Sequence, residues 1–220
     1  NVQGETAPEF ACVKAAFEQN FSDRGELGGA CSVYYKGRKV VDLWGGIRDP
    51  ESGAPWERDT MVIVFSLTKG MSAMTLAIAH SRGWLDYEAR VAEYWPEFAQ
   101  NGKAEITVRQ LLSHQAGLHA FHEKIDRATI SDQDALADIL EREAPEWPPG
   151  TRNAYHFMSL CFYESALLRR VDPAGRSLAR FFAEEIAGPL DLDFHIALPE
   201  DVPNERLAPL TMAGLVKSIL

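Results

Sequence analysis

FSLTKGMSAMTLAIAH, residues 65–80, follows the apolar run MVIVF (61–65) and carries a lysine three residues after a serine. The change from a β-branched run to apolar residues at helical spacing marks a strand-to-helix junction at Ser66. The first turn of a helix exposes unpaired N–H groups, so a lysine there costs about 0.3–1 kcal/mol. Residues i and i+3 share a helix face, which brings the Lys69 amine within reach of the Ser66 oxygen. A hydroxyl is a weak nucleophile until a base takes its proton, and a lysine desolvated beside positive potential can act as that base. The free N–H groups of the same helix end can also stabilise an oxyanion. A single Ser-x-x-Lys match in 220 residues is close to what chance supplies. Its place at the junction makes Ser66 and Lys69 a candidate nucleophile and base.

Working outward, Leu67, Met71, Met74, Ile78 and Ala79 predict a buried helix of about four turns with one apolar face, closed by Arg82-Gly83 with glycine as the left-handed cap. Upstream, ACSVYY (30–35) and KVVDLWGG (39–46) flank Lys36-Gly37-Arg38 and predict an antiparallel hairpin. Phe10, Val13, Phe17 and Phe21 predict an opening helix from Pro8 to Phe21. The polar segment IRDPESGAPWERDT predicts a loop leading into MVIVF, which is expected as a short buried strand. Downstream, Thr107 is the expected N-cap of a helix carrying Val108, Leu111 and Leu112. Further helices are predicted over Asp132–Glu143, halted by PEWPPGT, and over Met158–Arg170 and Ser177–Ile186. Strands in front and helices behind give an α+β layout.

Composition narrows the function. The chain is 46% hydrophobic and 25% charged, an ordinary globular balance. Its 32 acidic against 22 basic residues give a net charge of −10, with no basic cluster to hold a nucleic-acid backbone. Cys12, Cys31 and Cys161 form no CxxC pair and are expected as reduced thiols in a cytoplasmic setting. No apolar run approaches the ~20 residues that span a bilayer. The chain opens on Asn1 rather than methionine, which leaves a cleaved leader open. His114, His119 and His122 with Glu123 do not make a His-Glu-x-x-His pattern, so no metal is expected. VFSLT around Ser66 is not a Gly-x-Ser-x-Gly elbow.

Three segments follow Ser66-Leu67-Thr68-Lys69 in order: LLSHQAGL (111–118), PPGTRNAYHF (148–157) and FFAEEIAGPLDLDFHI (181–196). On these four motifs the chain resembles the serine β-lactamase and penicillin-binding-protein-like hydrolases. The likeness is to the class C-like branch, nearest the family VIII carboxylesterases, and runs from the hairpin near Cys31 to about Leu198. The resemblance implies a β-lactamase/DD-peptidase-like fold, an antiparallel sheet flanked by helices plus a mostly helical region. It implies that Ser66 is the acylated nucleophile and Lys69 its proton acceptor or electrostatic partner. Tyr155 matches the motif tyrosine that helps deprotonate the serine and protonates the leaving group; which of Lys69 and Tyr155 is the base stays open. A small-molecule ester substrate is implied, with no cofactor, metal, nucleic acid or membrane partner.

Two departures qualify the likeness. Where the family commonly has Asn or Ser two residues after the tyrosine, the chain has Phe157, which is expected to hydrogen-bond neither the lysine nor a substrate amide; this leans toward esters. His156 is expected as a packing residue. A third motif of the Lys-Thr-Gly, His-Gly-Gly or Trp-x-Gly kind is not found after Tyr155, and Lys217-Ser218-Ile219 is a superficial echo. Residues 1–220 are therefore expected to be the N-terminal part of one catalytic domain, with helix, hairpin and sheet entry over 8–65 and a mostly helical region over 66–220. The C-terminal part of the fold is expected to be absent, so that a complementary chain or self-association covers the exposed faces. The alternatives are a non-catalytic binding or regulatory relative, and a D-amino-acid peptidase or β-lactamase.

Overall fold

A computed structural model describes residues 2–210 and resolves two compact units, residues 2–64 with 200–210 and residues 65–199. Lys217-Ser218-Ile219 lies outside the described residues.

In the first unit, β1 (Val2–Thr6), α1 (Ala11–Asp23), β2 (Gly28–Tyr35), β3 (Arg38–Asp49) and the short β4 (Ala54–Pro55) follow one another. The sheet is antiparallel in the order β1-β3-β2, with β4 paired to the end of β3. The expected hairpin forms because Tyr35 pairs with Arg38 across a two-residue turn. Lys36 and Gly37 both have positive φ, 49° and 75°, and a turn of that hand matches the twist of the flanking strands. The opening helix also forms, and Phe10, Val13 and Phe17 pack on Val40, Val41 and Leu43. β1 was not legible in the sequence: VQGET lacks alternating apolar residues and is a strand only because β3 offers it a free edge.

MVIVF departs from expectation. Met61 makes a single parallel bridge with Leu207, exchanging hydrogen bonds with Arg206 and Ala208. Val62, Ile63 and Val64 are exposed and outside any strand. β-Branched residues favour extended backbone, but burial needs a neighbouring strand, and among the described residues none lies beside them.

The second unit is helical: α2 (Leu67–Ser81), α3 (Val91–Tyr94), α4 (Val108–Leu112), α5 (Arg127–Ser131), α6 (Gln133–Arg142), α7 (Ser159–Val171) and α8 (Leu178–Phe182), the last running on into a π turn over Ala183–Ala187. Its starts are capped as the side chains dictate. Thr107 and Gln110 form a reciprocal capping box on α4, Asp132 accepts from Asp134 and Ala135 N–H, and Ser177 accepts from Arg180 N–H. Gly83 closes α2 at φ 72°. The core gathers Leu76, Trp95, Phe98, Leu111, Leu140, Tyr163, Leu167 and Phe181. Lys103 is fully buried and donates to the carbonyls of Glu141 and Glu143; burial holds it down at about 8.

The apolar face foreseen for α2 is corrected in part: Ala79 is buried and Met71 and Ile78 pack on the core as expected, but Leu67 and Met74 are exposed, and Ser72, Thr75 and Leu76 are buried in their place. The two buried hydroxyls are satisfied by donating to the Lys69 and Ser72 carbonyls, so a half-polar stripe can face the core. Among the described residues no helix is long and apolar enough to cross a membrane.

Candidate active site

Ser66 is the N-cap of α2, and Phe65 before it is held at φ +46°. A β-carbon in the left-handed region costs roughly 1–2 kcal/mol. The turn is closed by Thr68 N–H to Phe65 O and Lys69 N–H to Ser66 O, both 3.1 Å. A serine at an N-cap ordinarily folds back to accept a helix N–H. Ser66 makes no such bond, and its hydroxyl instead lies 3.3 Å from Lys69 Nζ.

Tyr155 arrives from a loop with no regular structure, and its placement is copied from the turn at 113–117. Asn153 Nδ2 donates to Ser113 O (2.8 Å), Ala154 N–H to His114 O (3.2 Å), and Gly150 N–H to Gln115 O (2.9 Å). His156 N–H donates to His114 Nδ1 at 3.1 Å. His114 itself has φ +63°, which turns its carbonyl and ring toward the same loop. LLSHQAGL is thus the template on which RNAYHF is laid. Accepting at Nδ1 makes His114 neutral, and burial first, then the Lys69 charge, holds its ring below the usual histidine range. His156 is buried beside it and kept neutral to about pH 4, chiefly by burial, which fits the packing role expected of it.

The loop brings Tyr155 to Ser66 and Lys69. The nearby Ser66 hydroxyl first, then the Lys69 ammonium and its charge, hold the phenol below the usual tyrosine range. Lys69 Nζ also donates to Phe157 O at 2.6 Å and stands 5.0 Å and 5.7 Å from the Tyr155 and Phe157 ring centres. Lys69 Nζ therefore donates to Ser66 Oγ and to a main-chain carbonyl, with the Tyr155 ring beside it. The expectation that Phe157 would not bond the lysine is corrected: it accepts from Lys69 through its backbone carbonyl, which every residue type carries, while its ring is 60% exposed. Among the described residues, the Ser66 N–H has no protein acceptor.

Behind Lys69 lies a second layer that the sequence reading missed. Ser72 Oγ contacts Lys69 O at 3.0 Å, Glu164 Oε2 at 2.5 Å and Cys161 Sγ at 3.8 Å. The available signal was a serine one turn beyond Lys69 on a core-facing stripe, and a glutamate inside the apolar pattern SLCFYESALL. The other histidines are held elsewhere: His122 pairs with Glu143 and Glu146, and His119 stacks on Trp147.

Comparison with known proteins places this geometry among relatives. A family model described as Beta-lactamase matches residues 13–210. The chain is 40% identical over 216 residues to "Esterase/beta-lactamase LipL" of Mycobacterium tuberculosis, covering 96% of this chain and 48% of that protein. Among solved structures, a family VIII carboxylesterase superposes with TM-score 0.87 at 42% identity, covering 94% of this chain and 57% of the other. A penicillin-binding protein homolog from Caulobacter crescentus gives TM-score 0.89 at 40% identity, covering 97% and 57%. The chain spans about half the length of the curated relative it matches at 40% identity.

Proposed function

Since the chain belongs to the β-lactamase family, we propose that Ser66, Lys69 and Tyr155 form the acyl-transfer site of a serine hydrolase acting on carboxylic esters. The carrying observation is one serine hydroxyl, left free by its own helix, that lies 3.3 Å from an ammonium which itself stands 5.0 Å from the Tyr155 ring centre.

Tyr155 takes the Ser66 proton, because Lys69 stabilises the phenolate form from beside it. Ser66 Oγ attacks the ester carbonyl carbon, and the Ser66 N–H at the positive end of α2 donates to the oxyanion. Tyr155 returns the proton to the departing alcohol, leaving an acyl-Ser66. Water then attacks the acyl carbon, giving a proton to Tyr155, which passes it to Ser66 Oγ as the acyl–oxygen bond breaks and the acid leaves. Lys69 stays fixed by Phe157 O throughout. Phe157 presents an apolar ring beside Tyr155, 6.3 Å between centres, with no side-chain donor or acceptor for an amide. An ester, whose alcohol leaves readily and needs no amide recognition, suits that wall better than a peptide or a lactam.

Specificity constants for p-nitrophenyl butyrate and a chromogenic cephalosporin, measured side by side on the protein, test the reading. The ester is expected to be preferred by at least tenfold. A higher constant for the cephalosporin reverses the substrate class. The absence of any acyl adduct at Ser66 by intact mass would leave a non-catalytic binding protein instead.

A further inference from the structure

Ser72 Oγ carries one hydrogen and faces two acceptors, Lys69 O at 3.0 Å and Glu164 Oε2 at 2.5 Å. Both cannot receive it at once. If Glu164 carries a proton, its O–H donates to Ser72 Oγ and Ser72 donates to Lys69 O, so every group is satisfied. If Glu164 is ionised, its O–H bond is broken, the proton leaves to solvent, and the Ser72 hydrogen turns to the carboxylate. Lys69 O then loses its side-chain donor, and a negative charge stands behind the Lys69 turn. Resting on the hydrolase reading above, we infer that Glu164 is a positioning residue of this site. Its carboxyl acts through Ser72 on the Lys69 turn, and its charge state sets how much of the Lys69 positive potential reaches Tyr155.

Glu164 is 1% exposed and lies on α7. Its titratable and charged neighbours are Lys69, from α2, and Cys161 on its own helix; Ser72 bonds it from α2. α3, α4, α6 and α8, which also pack on α7, present it no charged group among the described residues. Burial in that setting pushes the carboxyl up to about 7, against the pull of Ser72, Cys161 and Lys69. The switch between the two hydrogen-bond arrangements therefore falls near neutral pH. Cys161, raised by burial and by Glu164, is a thiol there.

The ionised carboxylate offsets part of the potential that Lys69 lends the Tyr155 phenol, so it pushes Tyr155 back toward its ordinary range. Removing that charge in Glu164→Gln, which keeps a donor for Ser72, lowers the Tyr155 midpoint. At an effective dielectric of about 20, a shift of about one pH unit is expected. The test follows Tyr155 by ¹³C NMR of ring-labelled tyrosine, assigned with Tyr155→Phe, in wild type and E164Q. Acylation of Ser66 by p-nitrophenyl butyrate is followed over the same pH range. The ascending limb of the acylation profile is expected to move to lower pH with the tyrosine midpoint. A purely structural glutamate would lower the rate equally at every pH and leave both midpoints in place, which overturns the inference.

Infrared difference spectra of wild type against Ser72→Ala give a readout that does not depend on E164Q folding. A protonated carboxyl band is expected to vanish around pH 7 in wild type and at higher pH in S72A. A carboxyl already ionised at pH 5 overturns the inference. If no acylation occurs at any pH while the Tyr155 midpoint still moves in E164Q, the hydrolase reading fails and the Glu164 linkage stands.

Discussion

The two ends of α2 are built on opposite plans. At its C-terminal end Arg82 pairs with Glu185 at 2.5 Å; Glu185 also accepts from Arg176, and Arg176 bonds Asp172 through Nε at 2.8 Å. Asp172 accepts in addition from the Ala174 and Arg176 N–H groups. These bonds hold Asp172 and Glu185 down at about 2, with the arginine hydrogen bond the leading cause in each case. Gly83 supplies the left-handed cap without strain. At its N-terminal end a phenylalanine occupies the left-handed position, the cap serine declines its helix bond, and Phe65, Leu67, Tyr155 and Phe157 are exposed. One end ties its arginine into an ion-pair network and anchors the helix to the π turn that follows α8. The other leaves a hydroxyl, a phenol and a helix N–H available, and its strain is held in place by the anchored remainder.

The largest effect expected to separate the ends is kinetic. Ser66→Ala should lower ester turnover by about 10⁴-fold or more while leaving the urea midpoint unchanged, since Ser66 contributes no cap bond. A marked loss of stability in S66A would mean that the N-terminal end is also an anchor.

Asp172→Ala should do the reverse. Its buried carboxylate bonds Arg176 and two main-chain N–H groups, so its removal leaves those donors unmet while Glu184 and Glu185 still hold the Arg176 charge, and is expected to cost about 1.5–3 kcal/mol of stability, with the midpoints of Ser66 acylation unmoved. The two ends should also titrate with opposite sign. Asp172 and Glu185 are depressed when folded, so the stability they contribute is present above their unfolded values of 3.8 and 4.5 and is lost as pH falls toward about 2. Glu164 is raised when folded, so its contribution is present below 4.5 and is lost as pH rises through about 7. Urea unfolding from pH 2 to 8 should therefore show a maximum between these windows. The upper decline should disappear in E164Q, and its persistence there would assign it to another group.

The smallest expected effect concerns strain. Phe65→Gly removes the left-handed penalty at an exposed side chain and should stabilise the protein by about 0.5–1 kcal/mol after the added chain entropy is counted. The freed junction should slow acylation several-fold. A destabilised F65G would show that the Phe65 ring contributes more by packing than its backbone costs.

Legibility followed the range of the interactions. The hairpin at Lys36-Gly37, the caps Thr107 and Gly83, and the pairing of Ser66 with Lys69 each depend on residues within one turn. MVIVF misled because a strand needs a neighbour that the run itself does not contain. The face of α2 misled for a related reason: hydropathy favours Leu67 and Met74, but the helix buries Ser72 and Thr75, whose hydroxyls are satisfied by its own carbonyls. Glu164 was invisible because a carboxylate in an apolar pattern reads as exposed until its partner across the core is known.

By itself the sequence determined that a serine and a lysine share the first turn of a helix, because the α-helical period fixes i and i+3 on one face whatever surrounds them. No spacing rule ties Tyr155 to that turn; motif resemblance named it, and its position is set by hydrogen bonds from residues 150–156 to the 113–117 turn. Only the tertiary structure placed Ser72 and Glu164 behind Lys69, for that contact joins residues 92 apart in the chain. The energy that holds it comes from packing α2 against α7 in the core of the helical unit. Local geometry is written in neighbouring residues, whereas the environment that moves a proton is made by whichever distant groups the core excludes from water.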